Sequence, residues 1–309
     1  RLEDTWSRLR DTLSPSNWNG PVSTYPKLVQ KALPGKLLGA FDALDQDING
    51  LAEHKRDRDF LRLALISVLP HFSRAVATGG WLKWIKKRNG VSSLPSVLTE
   101  SVNLMIEDLH ETKLPKGTSW SICQADARNL PARSDAYSAV ITSPPYPNRH
   151  DYTRVFGIEL MFGFLDWERT RQLRYQSFHS HPEAHPKRPK LIEYVPPERL
   201  VETLKRIREK RTDQRVLRML EGYFLDMYIC LKEVIRVCKP NAKIAVVVGN
   251  AQYSGESVEV DELTAELGEQ AGLRCEKIVV SRYRGNSAQQ MGRYGRWPSR
   301  ESVVIFVRP

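Results

Sequence analysis

The apolar run Tyr137-Ser138-Ala139-Val140-Ile141 is followed, after Thr142 and Ser143, by two consecutive prolines, Pro144 and Pro145. A short run of this composition reads as a buried strand. Its ladder cannot continue through the prolines, because neither has an N–H to donate and Pro145 holds Pro144 away from helical backbone angles. The chain must leave the sheet through a stiff, extended corner at the carboxyl end of the strand. In open α/β sheets that end is where ligands bind.

The corner offers a defined set of groups. The carbonyls of Ser143 and Pro144 lie outside a regular ladder, the Ser143 hydroxyl adds an acceptor, and Tyr146 supplies an aromatic face. A planar base with an exocyclic amino group needs acceptors for its N–H groups and a ring to stack on. Thr142-Ser143-Pro144-Pro145-Tyr146 resembles the catalytic motif of the amino-group DNA methyltransferases. In that family Ser-Pro-Pro-Tyr accompanies mainly N4-cytosine methylation, and Asp- or Asn-Pro-Pro-Tyr mainly N6-adenine methylation. The next block, Arg149-His150-Asp151-Tyr152-Thr153-Arg154-Val155-Phe156-Gly157-Ile158-Glu159-Leu160, resembles the segment that follows the motif in a subset of bacterial members. The two halves joined are far more specific than either alone.

The resemblance implies an α/β fold of class I, a Rossmann-like sheet whose last strand is antiparallel, preceded by a helical region and carrying a basic insertion. It implies S-adenosyl-L-methionine as methyl donor and double-stranded DNA as substrate, with a base rotated out of the helix. Catalysis would fall to Ser143, Pro144, Pro145 and Tyr146, and cofactor contacts to Asp126, Ala127, Thr142 and Ser143. No metal is expected. Restriction-modification or defence subunits are conceivable partners, and the expected location is the prokaryotic cytoplasm, by the nucleoid.

The residues themselves supply much of this frame. A net charge of +11 among 309 residues favours a polyanionic partner. No stretch approaches 18 apolar residues, so no membrane-spanning helix is expected, and Arg1 to Arg10 lacks the apolar core of a signal peptide. The initial Arg suggests a start inside a longer reading frame. Four scattered cysteines, Cys123, Cys230, Cys238 and Cys275, read as reduced core residues.

Taken in order, residues 1–110 form an irregular arm followed by helices, with Leu37 to Leu51 and Phe60 to Leu69 apolar at helical steps and a further helix over 96–110. The patch Trp81-Leu82-Lys83-Trp84-Ile85-Lys86-Lys87-Arg88 suits either a surface that tracks a nucleic-acid backbone or an amphipathic helix. Residues 111–165 hold the first part of the catalytic core, with a strand expected at Trp120–Asp126 ending in the acid that the resemblance assigns to the cofactor. Residues 166–215 are irregular and basic, which the resemblance makes the target-recognition insertion, with DNA contacts expected from Arg149, Arg154, Arg171, Arg174, Lys187 and Arg188. Arg149 and Arg154 could instead brace the loop against Asp151 and Glu159. The spacing His179-x-His181-x3-His185 invites a metal, but the proline-rich loop around it argues against one. Residues 216–309 hold the second part of the core: a helix from Val216 to Cys238, a strand at Lys243–Asn250 expected to be buried on both faces, a helix at Glu259–Ala271, and strands at Cys275–Tyr283 and Glu301–Val307 around Gly285–Met291.

One expected part is missing. The family carries a glycine-rich turn, typically Phe-x-Gly-x-Gly, that lets backbone approach the cofactor, and neither Leu33–Gly39 nor Gly249–Gly255 supplies it. The turn and the first strands are therefore expected upstream or in another polypeptide. Three alternatives remain: N6-adenine methylation, methylation of RNA, and a non-catalytic DNA-binding subunit completed by a partner.

Overall fold

Leucine and phenylalanine at three- and four-residue steps between Leu37 and Leu69 fold into two helices joined through residues 52–54. The computed structural model describes residues 1–13, 18, 24–86, 89–113, 115–187, 193–285, 291–292, 294–295 and 297–309. It divides into two units, one of residues 1–121 and 152–173, the other of 122–151 and 174–309.

The first unit is helical: α1 (Leu2–Asp11), α2 (Lys27–Ala32), α3 (Lys36–Leu51), α4 (Lys55–Phe72), α5 (Leu94–Glu111), α6 (Tyr152–Val155), α7 (Gly157–Gly163) and the start of α8 (Trp167–Gln176). Phe41 of α3 meets Phe72 and Phe162 edge-on at 5.7 and 5.9 Å, at the centre of a core that includes Leu44, Leu65, Leu69, Leu98 and Val102. Two expectations are corrected here. The arm begins with a helix, because Trp6 and Leu9 of α1 bury one face in this core while its charges stay outside. Residues 81–84 are not an amphipathic helix but the largely exposed second strand of a hairpin, β1 (Ala75–Thr78) with β2 (Trp81–Trp84). Its two-residue loop, Gly79-Gly80, sets Gly79 at φ 59°, the sign a tight hairpin needs.

The second unit is built on a four-stranded sheet of β3 (Tyr137–Thr142), β4 (Cys238–Gly249), β7 (Arg274–Gly285) and β8 (Pro298–Val307), in the order β3-β4-β8-β7. β3 and β4 are parallel, and β8 lies antiparallel between β4 and β7. This is a mixed α/β unit with a mixed sheet, its last strand antiparallel. A small hairpin, β5 (Ala251–Tyr253) with β6 (Glu256–Val258), leads from β4 into α11 (Val260–Ala271). Helices α10 (Gln214–Val237) and α11 pack on the sheet through Tyr223, Phe224, Leu231, Leu263 and Leu267 against Ile244, Val246, Val248, Val304 and Phe306. The segment expected to be least regular contains α8 and α9 (Glu198–Glu209), the latter held by Leu200, Leu204 and Ile207 in the same core.

The sheet is covered well on one side only. Alternation along β4 sends Ile244, Val246 and Val248 into the core and leaves Ala245 and Val247 half-buried, so this strand is not buried on both faces as its composition suggests. The register continues that second face across the sheet through Ile141, Ala245 and Ile305, and through Val247, Val303 and Val279. At its end Ile141 is 84% exposed. β3 is thus an edge strand with an open face, not the buried strand its apolar side chains imply. Likewise, Trp120–Asp126 forms no strand: only an isolated bridge joins Asp126 to Asn129, and Ile122 is 92% exposed. A strand needs a ladder partner, and among the described residues nothing pairs with the outer edge of β3. No helix of the described residues is long and apolar enough to cross a membrane.

Candidate functional site

The parallel pairing of β3 with β4, Thr142 opposite Val246, brings two carboxyl ends side by side. One carries Ser143-Pro144-Pro145-Tyr146, the other Gly249-Asn250. Ser143 is exposed and Pro144, Pro145 and Tyr146 are half-buried, so the corner is open and not packed into the core. Pro147, which follows, is buried, and its carbonyl accepts a 2.5 Å hydrogen bond from the Tyr253 hydroxyl. Asn148 N–H returns to the Tyr146 carbonyl at 2.8 Å, and His150 N–H is capped by Asn148 Oδ1 at 3.0 Å. These bonds turn the chain sharply after Tyr146 and fix the end of the motif.

Tyr146 is oriented by groups remote in sequence. Its hydroxyl donates to Glu301 Oε1 at 2.9 Å. Glu301 stands on β8 opposite Gly249 of β4 and Arg282 of β7, and it also accepts from the Arg282 guanidinium. The Arg284 guanidinium lies 5.4 Å from the Tyr146 ring centroid and 3.6 Å from Glu301. Gly249 makes the fit possible: a Cβ there would lie 2.9 Å from two carbons of the Tyr146 ring and would strike the Arg284 guanidinium. Burial raises the Tyr146 phenol above its ordinary value; hydrogen bonding from Ser143 opposes the rise and Glu301 adds to it. Arg282, first among several partners, holds the Glu301 carboxyl below the usual range. The tyrosine therefore stays neutral beside an ionised acceptor. Neither Glu301, Arg282, Arg284 nor Gly249 was legible as a site residue from its local sequence.

Asp126 and Ala127 are exposed, on a turn and not at a strand end. The Asp126 carboxylate is chelated by Arg128 through Nε at 2.9 Å and Nη2 at 2.8 Å, which with the backbone N–H of Arg128 lowers its pKa. Arg128 also reaches the buried Asp226 of α10 at 3.4 Å and donates to the Gln176 carbonyl at 2.7 Å. The same Asp226 accepts from the His179 N–H at 2.9 Å, tying the basic segment to α10.

The basic residues divide by their surroundings. Arg149 adopts φ 65°, donates its N–H to the Ser180 carbonyl and sets its guanidinium 5.3 Å from the Tyr253 ring centroid. Arg174 ion-pairs with the buried Asp151 at 2.9 Å, so Asp151 has Arg174 as a partner. Arg171 pairs with Glu168 at 2.9 Å on the surface of α8. Arg154 and Lys187 are exposed, and Arg188 lies outside the described residues. Burial raises the pKa of Glu159. Of the three spaced histidines, His181 gathers with Asp151 and Glu183, their potential ligand atoms within 4.8 Å of one another. His179 and His185 instead face each other edge-on at 6.2 Å. A cavity of about 630 Å³ opens beside these two, lined also by Tyr194, Leu204, Arg215 and Arg218, and by none of residues 143–149.

No family model matches the chain. Among curated proteins it is 32% identical over 304 residues to the Type II methyltransferase M.BsoBI of Geobacillus stearothermophilus, an alignment covering 82% of this chain and 60% of that protein. It is 28% identical over 284 residues to the Type II methyltransferase M.AvaI of a Nostoc strain, covering 82% of this chain and 59% of that one, and to the same degree to M.AvaI of Anabaena variabilis. The chain spans about three fifths of the length of these relatives.

Proposed function

We propose that the chain is the target-base side of a site-specific DNA methyltransferase of the amino-group family, moving a methyl group from S-adenosyl-L-methionine to the exocyclic nitrogen of a flipped base, N4 of cytosine. The observation that carries this reading is the open corner Ser143–Tyr146 at the carboxyl end of β3, with Tyr146 held by Glu301 at 2.9 Å. Likeness to two Type II methyltransferases supports it, as does the mixed sheet, whose parallel pair and inserted antiparallel strand suit the second half of a class I, Rossmann-like sheet.

In this reading the base leaves the duplex at a cost of about a few kcal/mol in stacking. Ser143 and the Pro144 carbonyl accept its two amino hydrogens, which holds the amino group so that its lone pair, perpendicular to the ring, faces the methyl donor. An N–C bond would replace the donor's S–C bond and one amino proton would be released to solvent, with Tyr146 flanking the ring. No covalent intermediate or strong base is required, because alignment carries most of the acceleration. Bound S-adenosyl-L-methionine would supply an electrophilic methyl on a sulfonium. Thr142, Ser143, Asp126 and Ala127 fit it in part: all but the half-buried Thr142 are exposed and each offers an oxygen, but Asp126 is already chelated by Arg128 and the residues contain no glycine-rich cradle. The open edge of β3, with Ile141 84% exposed, supports completion of the cradle by strands outside these residues.

Ser143→Ala and Tyr146→Ala should each abolish methyl transfer by the completed enzyme while duplex binding persists; full activity in both would end the proposal. Nucleoside mass spectrometry of the modified DNA should find N4-methylcytosine. Finding N6-methyladenine would keep the geometry and change the base. Titration of these residues alone with S-adenosyl-L-methionine should give no heat, and a saturable signal would overturn the claim of an incomplete cradle.

A further inference from the structure

The hairpin of β1 and β2 is not used by the site above, and its chemistry points to a partner. Alternation along β2 places Trp81 and Lys83 on one face, with their cross-strand partners Thr78 and Val76, and turns Leu82 toward the helical core. Trp81 is 63% exposed beside the hairpin loop. On the other face Lys31 of α2 sits 4.4 Å over the ring of the partly exposed Trp84. Helix α6 packs beside β2, and its first residue, Tyr152, is stacked with Phe156 just after the helix, centroids 6.3 Å apart and planes 10° from parallel, both about half exposed. Between them Arg154 is exposed.

Such a concentration of exposed rings is costly in water unless something covers them. Charge selects the kind of cover. From Arg74 to Gly90 the sequence has Arg74, Lys83, Lys86, Lys87 and Arg88 and no acid, and the next carboxylate is Glu100. Flat rings alternating with cations, without a carboxylate among them, suit a polymer of stacked bases and phosphates better than the apolar surface of a protein. A two-stranded ribbon is also narrow enough for the major groove of B-form DNA.

We propose that the β1–β2 hairpin is a second DNA-contacting element, which lays Trp81 against bases or sugars of a duplex while Lys83, on the same face, takes a phosphate. The proposal rests on the DNA reading above. It adds an element that neither the diproline motif nor the basic segment 166–215 includes.

The test uses the full chain and a fluorescent duplex, with anisotropy measured across a range of salt concentrations. Trp81→Ala should weaken binding about tenfold or more at fixed salt, in line with loss of one stacked ring, and Trp81→Phe should recover most of it. Lys83→Ala should flatten the dependence of log K on log salt by about one unit. Both positions are exposed, so circular dichroism and melting temperature should stay at wild-type values. If the wild type binds the duplex and both alanine variants bind within twofold of it with an unchanged salt slope, the hairpin proposal fails and the methylation reading stands. If the wild type does not bind duplex DNA, both fail. If the alanine variants bind DNA normally but shift the sedimenting mass, the hairpin is a protein interface and the proposal is overturned.

Discussion

Tyr146 and Glu301, 155 positions apart, meet through a 2.9 Å hydrogen bond in which the phenol donates to the carboxylate. The contact depends on strand order. Because β8 is inserted beside β4, Glu301 lies opposite Gly249 at the carboxyl end of the sheet, next to the corner that leaves β3. The arginines of β7 then keep Glu301 ionised, and an ionised acceptor holds the ring more firmly than a neutral one.

Tyr146→Phe isolates that bond, since it keeps the ring and removes the hydroxyl. Glu301 retains Arg282, so no charge is stranded. A hydrogen bond to a charged acceptor contributes about 1.5–3 kcal/mol when buried; for a half-buried ring about 1 kcal/mol is the reasonable expectation. Urea unfolding should show a loss of that size. Glu301→Gln combined with Tyr146→Phe should cost less than the two changes added, and strict additivity would mean that the bond does not form.

His181 should make the protein acid-sensitive in a defined window. Burial, opposed by Asp151 and Glu183, lowers its pKa below the ordinary 6.5. Below pH 6.5 the unfolded chain therefore takes up a proton that the folded chain refuses, so the stability is complete above pH 6.5 and declines as pH falls toward the folded value. The lowered carboxylates, Asp126, Glu233 and Glu256, act with the same sign but from ordinary values of 3.8 and 4.5 downward, outside that window. Glu159 and Glu259, raised chiefly by burial, act with the opposite sign above 4.5, so the comparison decides. Between pH 7.5 and 5.5 the melting temperature of the wild type should decline relative to that of His181→Gln. Parallel curves would remove His181 from the account.

The local chemistry of the chain could be read from sequence where a segment determines its own structure. The diproline corner, helices α3, α4, α10 and α11, and the strong β4 strand follow from backbone restrictions and apolar spacing within a few residues. What could not be read depends on neighbours. Tyr137–Ile141 and Trp120–Asp126 have the composition of inner strands, but whether such a segment is buried, or pairs at all, depends on a strand beside it, which Ile122 does not have among the described residues. Trp81–Trp84 is too short to show a period, and the Gly79-Gly80 turn decided its form. Glu301 and Gly249 became site residues only through the register of β4 with β8.

Thiol reactivity gives a check on the exposed segment before β3. Cys123 is exposed, whereas burial pushes the Cys230 thiol up to about 12 and also raises Cys238 and Cys275. At pH 8 almost none of Cys230 is thiolate, and only the thiolate alkylates. Brief treatment with iodoacetamide followed by peptide mass spectrometry should modify Cys123 well before the other three. Equal labelling of Cys123 and Cys230 would contradict this arrangement of residues 122–125 and α10.

Gly249→Ala separates packing around Tyr146 from the chemistry of its hydroxyl. Backbone strain is not the issue, because Gly249 lies within the β4 ladder, opposite Glu301, and not in the left-handed region. The obstacle is space. The added methyl would lie 2.9 Å from the Tyr146 ring and would strike the Arg284 guanidinium. The guanidinium ends a flexible chain and can swing aside at small cost. The ring follows two prolines and precedes a buried Pro147, so it can yield only by rotating away from Glu301. The sheet should hold, since Ile244, Val246 and Val248 keep their packing, and the overall loss should be about 1–3 kcal/mol, as for other overpacked sites. Methyl transfer should fall at least tenfold, because a misplacement of about 1 Å at a reacting centre costs up to a hundredfold. Duplex affinity should be nearly unchanged. A variant with normal transfer and a displaced tyrosine, seen as altered Tyr146 ring resonances in a selectively labelled sample, would show that the orientation of the ring does not govern the reaction.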